Sequence, residues 1–280
     1  LQGKVALVTG ASGDIGLAVC EKLLEDGSKV YATYNNNPAR LGELADRQEF
    51  AGRLVALKCD ITNKAELDAA MARIEEAEGK LDVLVNNAGK YRDNLFSMMD
   101  FDEFDDVVKT NLYGTFMATK AALRLLRKAK QATVVNVSSI AGLTNSFGQT
   151  NYSAAKLGMV GFMNTLRLEG AKHNVYTNSL APAALTRMTE NLLPGEVAQG
   201  LAPELVTPGA LFMVSDQAPN GVIIQAQGGS FGVAAILQND KVSLGDHPTV
   251  EDVAANWERI SDLSKVGTRT EKLVSQPPKK

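Results

Sequence analysis

Short apolar runs alternate along the chain with longer stretches in which apolar and charged residues recur at helical spacing. The runs are rich in Val, Leu and Ala and end at glycine or asparagine, which is typical of parallel strands buried on both faces. The pattern predicts helices at residues 15–25, 64–78 and 102–128. It predicts seven strands, at residues 4–9, 29–34, 54–58, 81–85, 133–137, 174–179 and 221–225. This alternation indicates an α/β fold with a doubly wound, mostly parallel, seven-stranded sheet and helices on both faces.

The strand–helix pattern continues without a linker or a fixed-period repeat to about residue 235. Residues 1–235 are therefore predicted to form one domain. Residues 236–280 are predicted to be a helical extension that ends in a frayed tail at residues 276–280. One helix is expected over residues 249–263, because Thr249 and Asp252 can form a capping box at its start.

Composition narrows the classes of function. The 280 residues carry 29 Lys and Arg against 32 Asp and Glu, a net charge of −3, so no nucleic-acid partner is expected. Two cysteines exclude a disulfide scaffold, and two histidines are too few for a histidine-based metal site. No apolar run approaches the roughly 18 residues of a membrane span, and the first residues lack a signal-peptide pattern. A cytoplasmic protein that binds neither metal nor membrane is expected.

A glycine-rich turn follows the first predicted strand. It reads Thr-Gly-Ala-Ser-Gly-Asp-Ile-Gly over residues 9–16 and leads directly into the first predicted helix. Small residues let a backbone approach a pyrophosphate, and a helix N-terminus stabilises its charge. Glycine is also needed at any tight turn, so it is the position after a buried first strand that favours a dinucleotide site. The candidate cofactor-binding residues here are Gly10, Ser12, Gly13, Ile15 and Gly16.

A tyrosine and a lysine four residues apart, Tyr152 and Lys156, follow the fifth predicted strand. On a helix this spacing places both side chains on one face. A nearby ammonium favours the phenolate, so Lys156 is expected to lower the pKa of Tyr152 and allow proton exchange near neutral pH. Taken alone, the motif is more often a half-buried tyrosine packed by a lysine stem.

Further motifs stand in a fixed order around this pair. Asn111 lies in the long predicted helix, Ser139 ends the fifth strand, and residues 86–89 read Asn-Asn-Ala-Gly after the fourth strand. Together with the glycine-rich turn, they resemble the short-chain dehydrogenase/reductase family over about residues 3–230. The resemblance implies a Rossmann fold, a nicotinamide cofactor and hydride transfer. Residues 1–235 would then be a dinucleotide-binding catalytic domain. In this chain Asp14 stands where the family has its middle glycine.

The resemblance also implies roles for single residues. Tyr152 would protonate the developing alkoxide, and Ser139 would hydrogen-bond the substrate oxygen. Lys156 would hold the nicotinamide ribose, and Asn111 would hold a water of the proton relay. Asp60 would contact the adenine, although capping of the next helix explains it equally well. The implied cofactor residues outside the glycine-rich turn are Asp60, Ile61, Asn87, Ala88, Gly89, Tyr152, Lys156, Pro182 and Thr186.

The end of the second strand bears on the choice of cofactor. NAD-binding sites usually have an acid there for the ribose 2′-hydroxyl, whereas this chain has Tyr34 and Asn35, followed by Arg40. A 2′-phosphate meets no repulsion from these residues, so NADP is favoured and NAD is permitted. It is equally plausible that Arg40 only solvates a helix start.

Other segments narrow the resemblance within the family. Residues 145–158 and 186–190, with Asn256 and Trp257, are similar to the dehydrogenase part of peroxisomal multifunctional enzyme type 2. Residues 91–96 are similar to bacterial 3-oxoacyl-carrier-protein reductases. Both relatives handle a β-oxygen on an acyl thioester, so the implied substrate is a 3-oxoacyl or (3R)-3-hydroxyacyl thioester of CoA or a carrier protein.

Other readings stay open at this stage. The substrate could be another carbonyl or alcohol, such as a polyketide, steroid or sugar, and a cofactor-binding protein without catalysis is a less favoured alternative. The apolar stretch over residues 188–205 is predicted to be a substrate lid, or else ordinary packing. The resemblance further implies a homotetramer assembled through the long helices.

Overall fold

A computed structural model describes residues 1–144, 146–187 and 200–264. Its strands are β1 (Val5–Val8), β2 (Lys29–Tyr34), β3 (Leu54–Lys58), β4 (Val83–Asn86), β5 (Ala132–Val137), β6 (Val175–Ala183), β7 (Ile223–Gln227) and β8 (Ser230–Ala234). They form one sheet in the order β3-β2-β1-β4-β5-β6-β7-β8. All neighbouring strands are parallel except β7 and β8. The mostly parallel sheet that the sequence predicts is therefore confirmed.

Helices cover both faces of this sheet. They are α1 (Asp14–Glu25), α2 (Ala39–Ala45), α3 (Lys64–Glu78), α4 (Phe101–Val108), α5 (Gly114–Leu126), α6 (Thr150–Ala171), α7 (Thr207–Val214), α8 (Val250–Ala255) and α9 (Trp257–Ile260). Along β1, Ala6 and Val8 pack in one core with α1, α2 and α7, whereas Val5 and Leu7 pack in another with α3 and α5. Because successive side chains point to opposite faces, burial on both sides makes the strand a continuous apolar run.

The eighth strand departs from the prediction. The sequence predicts seven strands, the last at residues 221–225, yet Ser230–Ala234 forms an eighth strand that pairs antiparallel with β7. Gly228 and Gly229 have φ angles of 53° and 77°, and they form the two-residue loop between the paired residues Gln227 and Ser230. Positive φ at both positions is the geometry of a hairpin turn that glycine adopts readily. The glycine pair therefore turns the chain back along the sheet.

The long helix predicted over residues 102–128 is interrupted. A π-helical turn at Lys109–Tyr113 separates α4 from α5. Single π turns inside α-helices occur frequently at functional sites, because the wider turn displaces side chains and backbone groups from the regular pattern. Asn111, which the sequence marks as a catalytic candidate, lies in this turn.

The C-terminal segment also differs from the prediction. The single helix expected over residues 249–263 is two short helices, α8 and α9, with Asn256 between them. The predicted capping box of Thr249 and Asp252 is present at the start of α8. Neither helix has a buried residue, so packing against the rest of the protein does not stabilise a longer helix here. The tail at residues 276–280 lies outside the described residues, and the division at residue 235 stays a prediction. Among the described helices, none has the length and apolarity to cross a membrane.

Candidate active site

The strand order of the sheet changes direction between the neighbouring strands β1 and β4. Strands β2 and β3 lie on one side of β1, and β4, β5 and β6 follow on the other. In open α/β sheets, ligands bind outside the carboxyl ends of the strands at this switch point. The turns after β1 and β4 lie at this edge of the sheet. Ser139, after β5, and Thr186, after β6, also follow the carboxyl ends of their strands.

Hydrogen bonds of the Thr9 and Asn87 side chains connect the turn after β1 to the turn after β4. The Thr9 hydroxyl accepts the backbone N–H groups of Asn87 and Ala88, at 3.0 and 3.1 Å. The Asn87 amide donates to the carbonyls of Thr9 and Gly10, both at 3.0 Å. Residues predicted from two separate motifs therefore form one rigid edge of the crevice.

Two glycines of the first turn are required by this close approach. Gly10 has φ +59°, and a Cβ added to it would lie 2.6 Å from the Ala88 Cα. A Cβ on Gly16 would lie 2.5 Å from the Asn87 Nδ2 and 2.9 Å from the Ala11 Cα. Gly13 precedes α1 without a side-chain cap, which leaves first-turn N–H groups available to an anion. This backbone cradle fits the pyrophosphate of a dinucleotide.

The Asp14 carboxylate lies between two arginines. Arg40, in α2, donates to its Oδ1 at 2.5 Å, and the backbone N–H of Arg187, after β6, donates to its Oδ2 at 2.8 Å. Both guanidinium groups also donate to the Ser12 carbonyl, at 3.4 and 2.9 Å. Burial raises the pKa of Asp14, but the hydrogen bonds and charges of Arg187 and Arg40 outweigh it, so its pKa lies below the ordinary value.

Sequence reasoning does not identify Arg187. The residue lies 173 positions from Asp14, and no local pattern connects the two. The one signal in the sequence is the acid itself, because a partly buried carboxylate needs a counter-ion. Arg40, which the sequence proposes for a 2′-phosphate or for solvating a helix start, is paired with Asp14. Its contact with a 2′-phosphate stays a prediction.

The residues predicted near the ribose 2′ position and near the adenine lie at the ends of β2 and β3. Tyr34 is half-buried and Asn35 is exposed, whereas Ile61 is buried. The alternative that Asp60 caps α3 is wrong, because Asn63 is the N-cap. The Asp60 carboxylate instead accepts the backbone N–H and the hydroxyl of Thr62, at 2.8 and 2.7 Å. Its contact with an adenine stays a prediction.

Ser139, Tyr152 and Lys156 come together beside β5. Tyr152 is half-buried in the first turn of α6, and the Ser139 side chain hydrogen-bonds its hydroxyl. The Lys156 Nζ lies 5.4 Å from the centroid of the Tyr152 ring and donates to the Val137 carbonyl at 2.7 Å. The predicted placement of tyrosine and lysine on one helix face is confirmed.

Asn111 faces the same crevice from the π turn. Its side-chain nitrogen donates to the carbonyls of Lys90 and Val107, at 2.7 and 2.9 Å. Its Oδ1 is buried and has no hydrogen-bond partner among the described residues. A Cβ on Gly89 would overlap that oxygen and would lie 3.5 Å from the Lys156 Nζ. The free acceptor is suited to a bound water near Lys156.

The pKa values contradict the expected effect of Lys156. Burial raises the pKa of Tyr152 to about 12, although the hydrogen bond from Ser139 opposes this. Burial also lowers the pKa of Lys156 to about 7. Desolvation disfavours both charged forms at once, so Lys156 is only partly protonated at neutral pH, and burial outweighs its effect on the Tyr152 phenol. At neutral pH the phenol of the ligand-free protein therefore holds its proton.

Replacing Lys156 with methionine is expected to change stability in a pH-dependent way. In the folded protein the pKa of Lys156 is about 7, against 10.5 in the unfolded chain, so unfolding takes up a proton between these values. The free energy of unfolding of the wild type therefore rises with pH in this window. The free energy of unfolding of Lys156→Met, relative to the wild type, should fall between pH 7 and 9 by up to about 1.4 kcal/mol per pH unit. Urea denaturation at pH 7, 8 and 9 measures this, and a difference independent of pH would contradict it.

The remaining predicted residues lie on the far side of the crevice. Pro182 is buried in β6 opposite Ala226 of β7, and Thr186 is half-buried just before Arg187. Of the predicted lid, residues 188–199 lie outside the described residues.

Comparison with known proteins agrees with this arrangement. The family model described as short chain dehydrogenase matches residues 4–196. A short-chain type dehydrogenase/reductase of Mycobacterium tuberculosis is 38% identical over 278 residues, which cover 94% of this chain and 96% of that protein. A 3-oxoacyl-[acyl-carrier-protein] reductase of Vibrio harveyi is 35% identical, with 83% of this chain and 99% of that protein covered.

Two further similarities concern a larger enzyme and a solved structure. Peroxisomal multifunctional enzyme type 2 of Mus musculus is 33% identical over 94% of this chain, which spans 37% of that protein. The crystal structure of a short chain dehydrogenase from Mycobacterium avium superimposes with a TM-score of 0.81 at 29% identity, covering 95% of this chain and 96% of that one. The chain therefore belongs to the short-chain dehydrogenase family of oxidoreductases.

Proposed function

We propose that the chain transfers hydride between a nicotinamide cofactor, NADP with NAD also accepted, and a 3-oxoacyl or (3R)-3-hydroxyacyl thioester. The observation that carries the proposal is the meeting of Ser139, Tyr152, Lys156 and Asn111 beside a glycine cradle at the carboxyl ends of the strands. The relatives named as 3-oxoacyl-carrier-protein reductase and peroxisomal multifunctional enzyme support the thioester as the substrate class.

The bound cofactor supplies the hydride in reduction and accepts it in oxidation. The side chains of this chain hold the oxygen and move the proton. Tyr152, whose pKa burial raises to about 12, is protonated at neutral pH and donates its proton to the carbonyl oxygen during reduction. The Ser139 hydroxyl hydrogen-bonds the same oxygen where negative charge develops. Asn111 holds a water on its free Oδ1. A proton passes from this water, by way of Lys156, to Tyr152 after Tyr152 has donated its own.

Exposed apolar side chains on the loops before α4 and α6 suit an acyl chain. Phe96, Met98 and Phe147 are 78%, 68% and 91% exposed. Their loops are joined, since the Asn94 N–H donates to the Gly148 carbonyl at 2.9 Å. Exposed apolar side chains on these two joined loops favour an apolar ligand, because covering them removes apolar surface from water.

Oxidation of NADPH and NADH in the presence of acetoacetyl-CoA, longer 3-oxoacyl thioesters, a sugar and a steroid ketone tests the substrate class. Activity on the thioesters, increasing with acyl length, is expected. Phe147→Ser should lower kcat/KM for a long 3-oxoacyl thioester about tenfold, with little effect on acetoacetyl-CoA, because only the longer chain covers Phe147. Val250→Ser is the matched control: this valine is 81% exposed at the start of α8, in the C-terminal segment. Good activity on the sugar or steroid without activity on any thioester would overturn the substrate class.

We also propose a homotetramer, as the family resemblance implies. Apolar side chains on the outer faces of α5 and α6 support it, since Phe116, Leu157 and Leu168 are 49%, 47% and 67% exposed. Such a surface is suited to contact between copies of one chain. The cytoplasmic location stays a prediction.

A further inference from the structure

Asp14 brings together two arginines that come from distant parts of the chain. Its carboxylate is paired with Arg40 at 2.5 Å, and its side chain is 15% exposed against 39% for that of Arg40. On the other side, Arg187 holds it through the backbone N–H at 2.8 Å and the guanidinium Nε at 3.4 Å. One negative charge at the start of α1 is therefore shared by two positive charges.

Arg40 occupies a position that matters for the ribose of a dinucleotide. It follows β2, and in doubly wound folds the region after the second strand selects between a ribose 2′-hydroxyl and a 2′-phosphate. An arginine there favours the phosphate only to the extent that its charge is available. In this protein the guanidinium of Arg40 already has a carboxylate partner.

We propose that Asp14 sets the choice of cofactor by competing with the 2′-phosphate for Arg40, so that the protein binds NADP and NAD with similar affinity. To contact a 2′-phosphate, Arg40 must leave the Asp14 carboxylate, so the net gain in binding free energy is small. A phosphate is recognised at full strength only when the partner cation is not already neutralised. The inference rests on the proposed function only for the class of cofactor.

Arg187 explains why this exchange is feasible. When Arg40 turns toward a phosphate, Asp14 keeps the backbone N–H of Arg187 and the nearby guanidinium. The carboxylate is then still paired, and the turn after β1 stays connected to the segment after β6 through the contact of Arg187 with the Ser12 carbonyl. The charge cost of releasing Arg40 is thereby limited.

The test compares Asp14→Asn with the wild type by isothermal titration with 2′,5′-ADP and 5′-AMP, which differ only in the 2′-phosphate. Asparagine removes the charge but can still accept the Arg187 N–H. The wild type should bind the two ligands within about threefold of each other. Asp14→Asn should tighten 2′,5′-ADP about tenfold and change 5′-AMP less than about twofold.

Glu21→Gln is the matched control. Glu21 is also on α1 and pairs with an arginine, Arg47, but lies two turns farther along the helix. Its removal changes the net charge equally and should leave both affinities unchanged. In the Asp14→Asn background, Arg40→Met should abolish the gain for 2′,5′-ADP.

Three results would overturn the inference: an equal gain for both ligands in Asp14→Asn, no gain for either, or a gain that survives Arg40→Met. Absence of binding of both ligands to every variant would overturn it together with the dinucleotide site. The measurement needs no turnover, so inactivity toward thioesters would count against the proposed substrate and leave this inference standing.

Discussion

Replacing Tyr152 with phenylalanine is expected to reduce turnover at least about 100-fold, because the general acid is lost. The ring still fills its half-buried position on α6, and Lys156 keeps its hydrogen bond to the Val137 carbonyl. Cofactor affinity should therefore remain within about twofold of the wild type, less than about 0.5 kcal/mol. Steady-state kinetics with the best 3-oxoacyl thioester gives the first quantity, and titration with NADPH gives the second.

Tyr31→Phe is the matched control for this substitution. Tyr31 is buried in β2, and burial with the neighbouring Glu78 raises its pKa to about 12, as burial does for Tyr152. Its hydroxyl donates to Glu78 at 2.8 Å, away from the crevice. Losing it should cost some stability and leave turnover unchanged. Near-normal turnover in Tyr152→Phe, or an equal loss in both variants, would remove Tyr152 from its proposed role.

The elements that the sequence predicts best are those fixed by local signals. Helix α3 begins and ends where expected, at Lys64 and Glu78, because Asn63 caps its start and Gly79 ends it in the left-handed conformation. The central strands follow from burial on both faces, which leaves a continuous apolar run. Strand β8 escapes this rule, since four of its five residues are exposed and only the glycine turn before it signals its existence.

The protonation states of the candidate site are harder to predict from the sequence than its fold. The spacing of Tyr152 and Lys156 places them on one helix face, but it contains no information on burial. In the folded protein, burial lowers the pKa of Lys156 to about 7 and raises that of Tyr152 to about 12, the opposite of the expected effect on the phenol. The pairing of Asp14 with Arg187 is equally inaccessible, because the fold alone brings these residues together.

Glycine substitution in the phosphate cradle should have the largest effect on stability. Gly10→Ala is expected to lower the free energy of unfolding by about 2–5 kcal/mol, because two costs add. The positive φ of +59° disfavours any residue with a Cβ by about 1–2 kcal/mol. The new methyl would also lie 2.6 Å from the backbone of Ala88, and overpacking of this kind typically costs about 1–3 kcal/mol.

Gly52→Ala separates these two costs. Gly52 has a similar φ of +72°, but a Cβ there meets nothing within 4 Å, so only the conformational cost of about 1–2 kcal/mol applies. The additional loss of unfolding free energy in Gly10→Ala, beyond that in Gly52→Ala, then measures the contact between the turns after β1 and β4. Because that contact shapes the cradle, titration should show weakened NADPH binding in Gly10→Ala and wild-type binding in Gly52→Ala. Equal destabilisation by the two substitutions in urea denaturation would mean that the turns can separate without loss, and that close approach of the backbone does not define the dinucleotide site.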